Sequence, residues 1–120
     1  MPILNIGKNF STHPIGRYYS DGDGSGEEFR EKQLKTCISD LADNESLEIV
    51  LDDGVDGYGS SFLDESFGGL VRFGYFKAEF LLEHLVFTYT DEDFSFFEEK
   101  IFQYISRAKY RSETYTKGAG

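Results

Sequence analysis

The sequence predicts an α/β fold: a small mixed β-sheet of about four strands with helices packed on it. Two observations predict it. Segments with the composition of strands alternate along the chain with segments of helical periodicity. Hydrophobic residues make up 39% of the 120 residues and aromatic residues 17%, which is enough apolar material for the core of one domain. We therefore expect a single domain over residues 1–111 and a polar tail at residues 112–120.

Four segments have the composition of strands. The first begins at Ile3 and continues towards Phe10, and a turn at His13 and Pro14 joins it to the second. The four segments are residues 3–10, 16–19, 46–52 and 85–90. The third is apolar enough to be a central strand of the sheet.

The first two long helices have recognisable ends. Ser25 is followed three residues later by Glu28, which predicts a capping box and a helix that runs to about Ala42. A second helix is expected to begin near Ser61 and to end at Gly74. Shorter and later helices are predicted over residues 76–84 and 93–110.

The second helix is expected to bury its apolar face, with Asp64 and Glu65 facing away from the core. Gly68 and Gly69 lie inside this helix, where each glycine costs about 1 kcal/mol relative to alanine. Such a cost indicates close packing, with another backbone lying against the helix at this point.

The charge of the chain is strongly negative. There are 22 acidic and 12 basic residues, for a net charge of −10. Such a surface repels the phosphate backbone of nucleic acid and favours a basic protein as partner. No apolar segment approaches membrane-spanning length and the first residues do not form a signal peptide, so we expect a cytoplasmic protein with no membrane contact.

No metal or cofactor site is predicted. Cys37 is the only cysteine, and His13 and His84 are too far apart in sequence to suggest zinc. Residues 21–26 have the composition of a calcium loop but lack the entering helix and the further ligands of an EF-hand. We interpret them as a turn that leads to Ser25.

Ser60 and Ser61 lie between a glycine-rich turn and a helix, and four interpretations compete for them. They are a helix cap, a site of regulated phosphorylation, part of a phosphate cradle, or a catalytic nucleophile. A phosphate cradle of the P-loop type needs a lysine before the serine, and a nucleophile elbow needs a second glycine after it. Both are missing, so a non-enzymatic role is favoured.

Two segments of the chain, residues 16–31 and 51–72, resemble the STAS-like domain family DUF4325. The resemblance covers roughly residues 5–108 and is most specific over residues 60–72. The wider STAS superfamily includes bacterial anti-sigma factor antagonists. In these a strand ends in an aspartate, and a serine at the start of the next helix is phosphorylated by a GHKL-type kinase, which blocks docking to the partner.

Carried over, the resemblance implies a phosphoacceptor at Ser60 or Ser61, with Ser61 favoured because it lies closer to the helix. It also implies a separate histidine-kinase-like ATPase as partner. The chain would then be a regulatory module that binds a partner protein through one edge. The residues expected to form that edge are Asp53, Gly54, Asp56, Tyr58, Ser60, Ser61 and Asp64.

An alternative interpretation relies on the net charge alone. The chain would be an acidic interaction protein of a mobile-element or antiviral system, and it would occupy a basic groove of its partner as a DNA mimic does. The last helix has more phenylalanines than one face can bury. We expect Phe96 or Phe102 to mark a partner-binding patch.

Overall fold

The computed structural model describes residues 1–111 and Tyr115; the rest of the predicted tail lies outside the described residues. The predicted α/β class with helices packed on a small sheet is confirmed. The expectation of about four strands in a mixed sheet is wrong for the described chain, because three strands pair there and both pairs are parallel. In sheet order they are β1 (Ile3–Asn5), β2 (Leu47–Val50) and β3 (Leu85–Thr88).

Residues 16–19 do not form the predicted second strand. Gly16 has a φ of +95°, which interrupts extended backbone. The amides of Arg17 and Tyr18 donate to the carboxylate of Asp21 at 3.0 and 2.9 Å, so they are used within the loop and not in a sheet. The next residues, Tyr19–Asp21, form a 3-10 turn.

The helices are placed much as predicted. The first strand stops at Asn5 because its side chain caps a single turn, α1 (Ile6–Asn9). Helix α2 covers residues 26–39 and α3 covers residues 60–72. The others are α4 (Ala78–His84) and, after a 3-10 turn at Glu92–Phe94, α5 (Ser95–Arg107). None of these helices is both long and apolar enough to cross a membrane.

Both long helices contain a π-helical segment in the middle. In α2, Gly26–Phe29 and Lys35–Ser39 are α-helical and Arg30–Leu34 is π-helical. In α3, Ser60–Leu63 and Gly69–Arg72 are α-helical and Asp64–Gly68 is π-helical. A π-helical turn holds an extra residue, so the residues that follow it are rotated about the helix axis.

The predicted ends of these helices are largely confirmed. The Ser25 hydroxyl accepts a hydrogen bond from the amide of Glu28 at 3.2 Å, as a capping box requires. The Glu28 carboxylate, however, accepts from the amide of Gly24 and not from that of Ser25. Gly74 follows the last turn of α3 with a φ of +73°, the left-handed conformation that ends many helices.

The two faces of the sheet have different surroundings. Leu4, Ile49 and Phe87 lie side by side on one face and are buried. On the opposite face their neighbours Ile3, Glu48 and Val86 also lie side by side, and Ile3 is 60% exposed. The core therefore lies on one face of the sheet.

Helices α2 and α3 approach each other closely at two glycines. A Cβ atom on Gly26 would lie 2.5 Å from the carbonyl oxygen of Phe62. A Cβ atom on Gly69 would lie 2.5 Å from Nη1 of Arg30, and one on Gly68 would lie 3.5 Å from the carbonyl oxygen of Tyr104. The predicted close packing at Gly68 and Gly69 is confirmed, but the atoms nearest to both glycines belong to side chains and not to another backbone: Arg72 and Asp64 at Gly68, and Arg30 at Gly69.

We expect Gly26→Ala to destabilise the protein by about 1–3 kcal/mol, because the new methyl group must push the backbone of α3 away. The preference of about 1 kcal/mol for alanine over glycine applies to the interior of a helix, and Gly26 is the first residue of α2, so it does not offset this cost. Urea unfolding measures it, with Ser39→Ala at an exposed position of the same helix as control. Equal midpoints for Gly26→Ala and wild type would contradict the close approach.

Candidate functional site

The loops that follow β2 and β3 meet at the carboxyl edge of the sheet. The Asp52 carboxylate accepts hydrogen bonds from the amide and hydroxyl of Thr90 at 2.8 and 3.0 Å, and from the amide of Asp91 at 2.8 Å. Its slight burial raises its pKa, but these donors outweigh that effect and hold the pKa below its usual value. Asp52 thus ties the two loops together.

Carboxylates are concentrated at this edge. Asp53 accepts a hydrogen bond from the side-chain amide of Asn5 at 2.8 Å and lies 3.5 Å from the ammonium group of Lys8. Five further carboxylates lie in the loops that follow β2 and β3: Asp52, Asp56, Asp91, Glu92 and Asp93. We call these six residues the acidic edge, which attracts cationic groups.

The structure places Ser60 and Ser61 as the first two residues of α3. The cap position is held by Gly59, and no side chain caps this end of the helix, so the interpretation of the serines as a helix cap is wrong. Ser60 is exposed and Ser61 is half-buried. Of the two candidate phosphoacceptors, Ser60 is therefore the more accessible, although the sequence favoured Ser61.

The glycines before these serines are explained by turns and packing. Gly54 has a φ of +79°, which few other residues adopt. A Cβ atom on Gly57 would lie 3.3 Å from the ring of Phe97, and one on Gly59 would lie 3.1 Å from the side chain of Ile15. These contacts account for the glycine-rich turn without a phosphate cradle.

Ser60 lies at a small cavity lined by aromatic side chains. The cavity has a volume of about 120 Å³. Phe96 at its border is 55% exposed, and the ammonium group of Lys100 lies 5.4 Å from the centre of the Phe96 ring. We call this cavity the aromatic hollow; its lining consists of Tyr58, Ser60, Leu63, Phe96, Phe97, Lys100 and Tyr104.

Three residues that the sequence assigned to the binding surface are less available. Tyr58 is buried, and its hydroxyl donates to the carbonyl of Leu51 at 2.6 Å. Burial and the nearby charge of Asp52 raise its pKa well above the usual value, so Tyr58 contributes only a wall of the hollow.

Asp64 is half-buried, and its carboxylate is used in ion pairs. Phe102 is half-buried and packs edge-on against Phe87, which leaves Phe96 as the exposed phenylalanine of this pair.

An ion pair lies between α2 and α3, at their two π-helical segments. Arg30 is fully buried, and its Nη1 lies 2.6 Å from the carboxylate of Glu65 and 2.8 Å from the carbonyl oxygen of the same residue. Its Nε donates to Glu31 at 2.8 Å. Glu65 is 4% exposed, so the prediction that it faces away from the core is wrong.

This ion pair is part of a larger cluster. Arg17 lies 2.9 Å from Asp64 and 3.2 Å from Glu65, and Arg72 lies 3.0 Å from Asp64. Burial alone raises the pKa of Asp64, but the hydrogen bond from Arg17 and the charge of Arg72 outweigh burial and lower it. Asp64 is half-buried, so the prediction that it faces away from the core holds only in part.

Aromatic residues enclose the Arg30 guanidinium. It lies 4.6 Å from the ring centre of Phe73 and 5.0 Å from that of Tyr115, within cation–π range. The Tyr115 hydroxyl donates to Glu27 at 2.6 Å. Tyr75 donates to Glu31 at 2.9 Å, and burial together with this bond raises the pKa of Tyr75 to about 12.

The arrangement does not favour nucleophilic catalysis. Nδ1 of His13 lies 3.1 Å from the hydroxyl of Thr12, and Nδ1 of His84 lies 2.8 Å from the carbonyl oxygen of Glu45. Neither histidine contacts a candidate serine. Burial and the charge of Asp40 raise the pKa of the Cys37 thiol, which disfavours a reactive thiolate. Over the described residues, no three His, Cys, Asp or Glu side chains are grouped as a metal site would need.

The sequence was compared with protein families, curated proteins and solved structures. The sequence model of the family described as a STAS-like domain of unknown function (DUF4325) matches residues 25–94, which contain α2, β2, α3, α4 and β3. The searches of curated proteins and of solved structures gave no significant match.

We expect Arg30→Met to cost roughly 3–5 kcal/mol in the free energy of unfolding, because it leaves the buried Glu65 carboxylate without its nearest cation. The double variant Arg30→Met/Glu65→Leu should be more stable than Arg30→Met, since no carboxylate then stays buried without its nearest cation. Denaturant unfolding measures both. Lys8→Met, which removes an exposed ion pair to Asp53, is the control and should cost at most about 1 kcal/mol.

Stability should fall in acid partly through Asp64. Its pKa is lower in the folded than in the unfolded protein, so its contribution is complete above the unfolded pKa of about 3.9 and is lost as the pH falls through the folded value. Asp64→Asn should lower stability at pH 7 and make the decline below about pH 4 shallower. Thermal unfolding from pH 7 to pH 3 tests this, with Asp43→Asn in an exposed loop as control. Parallel acid profiles for wild type and Asp64→Asn would contradict it.

Proposed function

Because the chain belongs to the family of STAS-like domains of unknown function (DUF4325), we propose that it is a non-enzymatic regulatory module that binds a partner protein. The proposed interface consists of the acidic edge, the loop at residues 54–59 and the start of α3. Its occupant is a protein surface with basic residues around one apolar side chain.

The observation that carries this proposal is the position of Ser60 beside the aromatic hollow. A volume of about 120 Å³ is suited to a single side chain of a partner. Interfaces between proteins commonly depend on a few apolar anchors of this kind, surrounded by polar contacts. Phe96 would add exposed aromatic surface at the border of the hollow.

The acidic edge supplies the second part of the proposed interface. It lies along the loops that flank the serine turn, and the hydrogen bonds of Asp52 hold these loops together. A fixed array of carboxylates would speed association with a basic partner and orient it. The hollow would then provide most of the affinity and the acidic edge most of the selection.

Phosphorylation of Ser60 by a GHKL-type kinase is the proposed switch. It would add about −1.5 to −2 charges at an exposed helix start, where the free amides tolerate an anion. The phosphate and its water shell would occupy the opening of the hollow, and an apolar anchor could then enter only by removing that water. The loss of the anchor outweighs any added attraction for basic residues, because the acidic edge already supplies negative charge.

The acidic edge alone favours a second candidate function. Clustered carboxylates on two connected loops could occupy a basic groove of a partner, as a DNA mimic does in a mobile-element or antiviral system. Such binding would not need the hollow or Ser60. It would weaken steeply with salt, because exposed charges are screened within about 10 Å at 0.1 M salt.

We expect Ser60→Asp and Phe96→Glu each to weaken partner capture by about tenfold or more, because each places a charge at the hollow. Ser39→Asp, an exposed serine on α2, is the matched control and should retain full binding. Each variant is immobilised and exposed to an extract of the native host at several salt concentrations. Quantitative mass spectrometry then measures how much of the partner each variant retains. Binding that depends steeply on salt and ignores both variants would replace the proposed module by the acidic mimic.

The switch is tested separately with ATP and a GHKL-type kinase from the native host. Intact-mass measurement should show an addition of about 80 Da on wild type and on Ser61→Ala but not on Ser60→Ala. If the wild-type mass is unchanged, the switch is discarded and the binding proposal depends on the capture experiment alone.

A further inference from the structure

A cleft of about 420 Å³ lies beside α3 and the C-terminal end of α5. Four of its seven lining residues are cationic and one is anionic, in a chain whose net charge is −10. The lining consists of Asp64, Arg72, Tyr104, Arg107, Ala108, Lys109 and Arg111. We call it the cationic cleft.

The one carboxylate of the cleft does not offset these charges. Asp64 uses one oxygen for Arg17 at 2.9 Å and the other for Arg72 at 3.0 Å. Arg17 is not part of the lining, so Asp64 is already shared with a cation outside the cleft. The side chains of Arg107 and Lys109 form no hydrogen bond or ion pair with any residue that the structure describes.

The end of α5 explains only part of this charge. A helix C-terminus carries about half a negative charge, which favours one cation in the last turn. Arg107 ends the helix, yet Lys109, Arg111 and Arg72 also line the same cleft. Like charges held together repel each other, and a bound anion would remove that repulsion.

Two side chains of the cleft are arranged in advance for an anion. The guanidinium of Arg72 is fixed by the Asp64 carboxylate at 3.0 Å and by the Asp64 carbonyl oxygen at 3.1 Å. A guanidinium held in this way loses little freedom when it binds a ligand. Tyr104 is half-buried, and its hydroxyl has no hydrogen-bond partner in the described part of the chain.

Size and charge together indicate the class of ligand. The volume lies within the range of small-molecule sites, and the charges of Arg107 and Lys109, beside the guanidinium of Arg72, call for more than one negative charge. Arginines bind phosphate oxygens in pairs of hydrogen bonds. A long polyanion such as nucleic acid would also meet the acidic surface of the protein, which disfavours it.

We propose that the cationic cleft binds a pyrophosphate group, either free or as part of a nucleoside diphosphate. Arg72, Arg107 and Lys109 contact the phosphate oxygens, and the Tyr104 hydroxyl donates to one of them. This inference does not rest on the proposed partner-binding function. The cleft adjoins the aromatic hollow only through Tyr104, which lines both.

Isothermal titration of the full chain with inorganic pyrophosphate, at low salt and without divalent metal, tests the proposal. We expect saturable binding of one equivalent. Arg107→Glu/Lys109→Glu should weaken it by about tenfold or more, because two charge-assisted contacts are lost. The matched control Lys8→Glu/Lys32→Glu changes the net charge equally at exposed sites elsewhere and should change the affinity by less than about twofold.

A parallel titration with ADP distinguishes the sources of the pyrophosphate group. If ADP binds more tightly than pyrophosphate, the ligand is a nucleoside diphosphate whose base contacts Tyr104. If the two affinities are equal, the cleft recognises the pyrophosphate group alone. Absence of saturable pyrophosphate binding, or equal weakening by the two double variants, would overturn the proposal. Circular dichroism establishes whether each variant is folded. If Arg107→Glu/Lys109→Glu is not folded, Arg107→Gln/Lys109→Gln is used in its place.

Discussion

The buried ion pair between Arg30 and Glu65 constrains the whole arrangement of helices. A guanidinium without solvent exposure is tolerated only when acceptors meet its donors. Here the carboxylate and carbonyl of Glu65 on α3 accept from Nη1 and the Glu31 carboxylate accepts from Nε, while Nη2 has no hydrogen-bond partner in the described part of the chain. Gly69 leaves the space that the guanidinium occupies. Sliding or rotating one helix would separate the buried Arg30 guanidinium from the Glu65 carboxylate. The ion pair therefore favours one position of α2 relative to α3.

That position links the two surfaces to which we assign binding. Ser60 begins α3 and Arg72 ends it, so the aromatic hollow and the cationic cleft lie towards opposite ends of one helix. Asp64 and Glu65, in the middle of this helix, hold Arg17 and Arg72 in the ionic cluster, and Asp64 and Arg72 also line the cleft. The cluster keeps the middle of the helix fixed, and the two ends of the helix are left to contact other molecules.

Local signals in the sequence predicted much of the fold. The Ser25 cap, the Gly74 stop and the central position of β2 follow from rules that involve a few neighbouring residues. The predictions that failed depend on distant residues. Helical periodicity cannot show that Glu65 finds its partner in Arg30, which lies 35 positions away. The predicted strand at residues 16–19 failed because Asp21 binds the amides that a sheet would use.

The candidate site was predicted only in part. The sequence identified the acidic loop and the serines, but it could not show that Tyr58 turns inward to Leu51. The cationic cleft was missed because Arg72 is distant in sequence from Arg107 and Lys109, whose position near a helix end already has a common explanation. Only the tertiary fold brings these charges together.

The contact of Tyr115 with Arg30 has a consequence for how the protein responds to its medium. The tyrosine ring covers one side of the guanidinium, and its hydroxyl is held by Glu27. If that ring were withdrawn, water and dissolved ions would reach the ion pair between α2 and α3. An interaction that burial now shields from ionic strength would become sensitive to it, as ion pairs at the surface are.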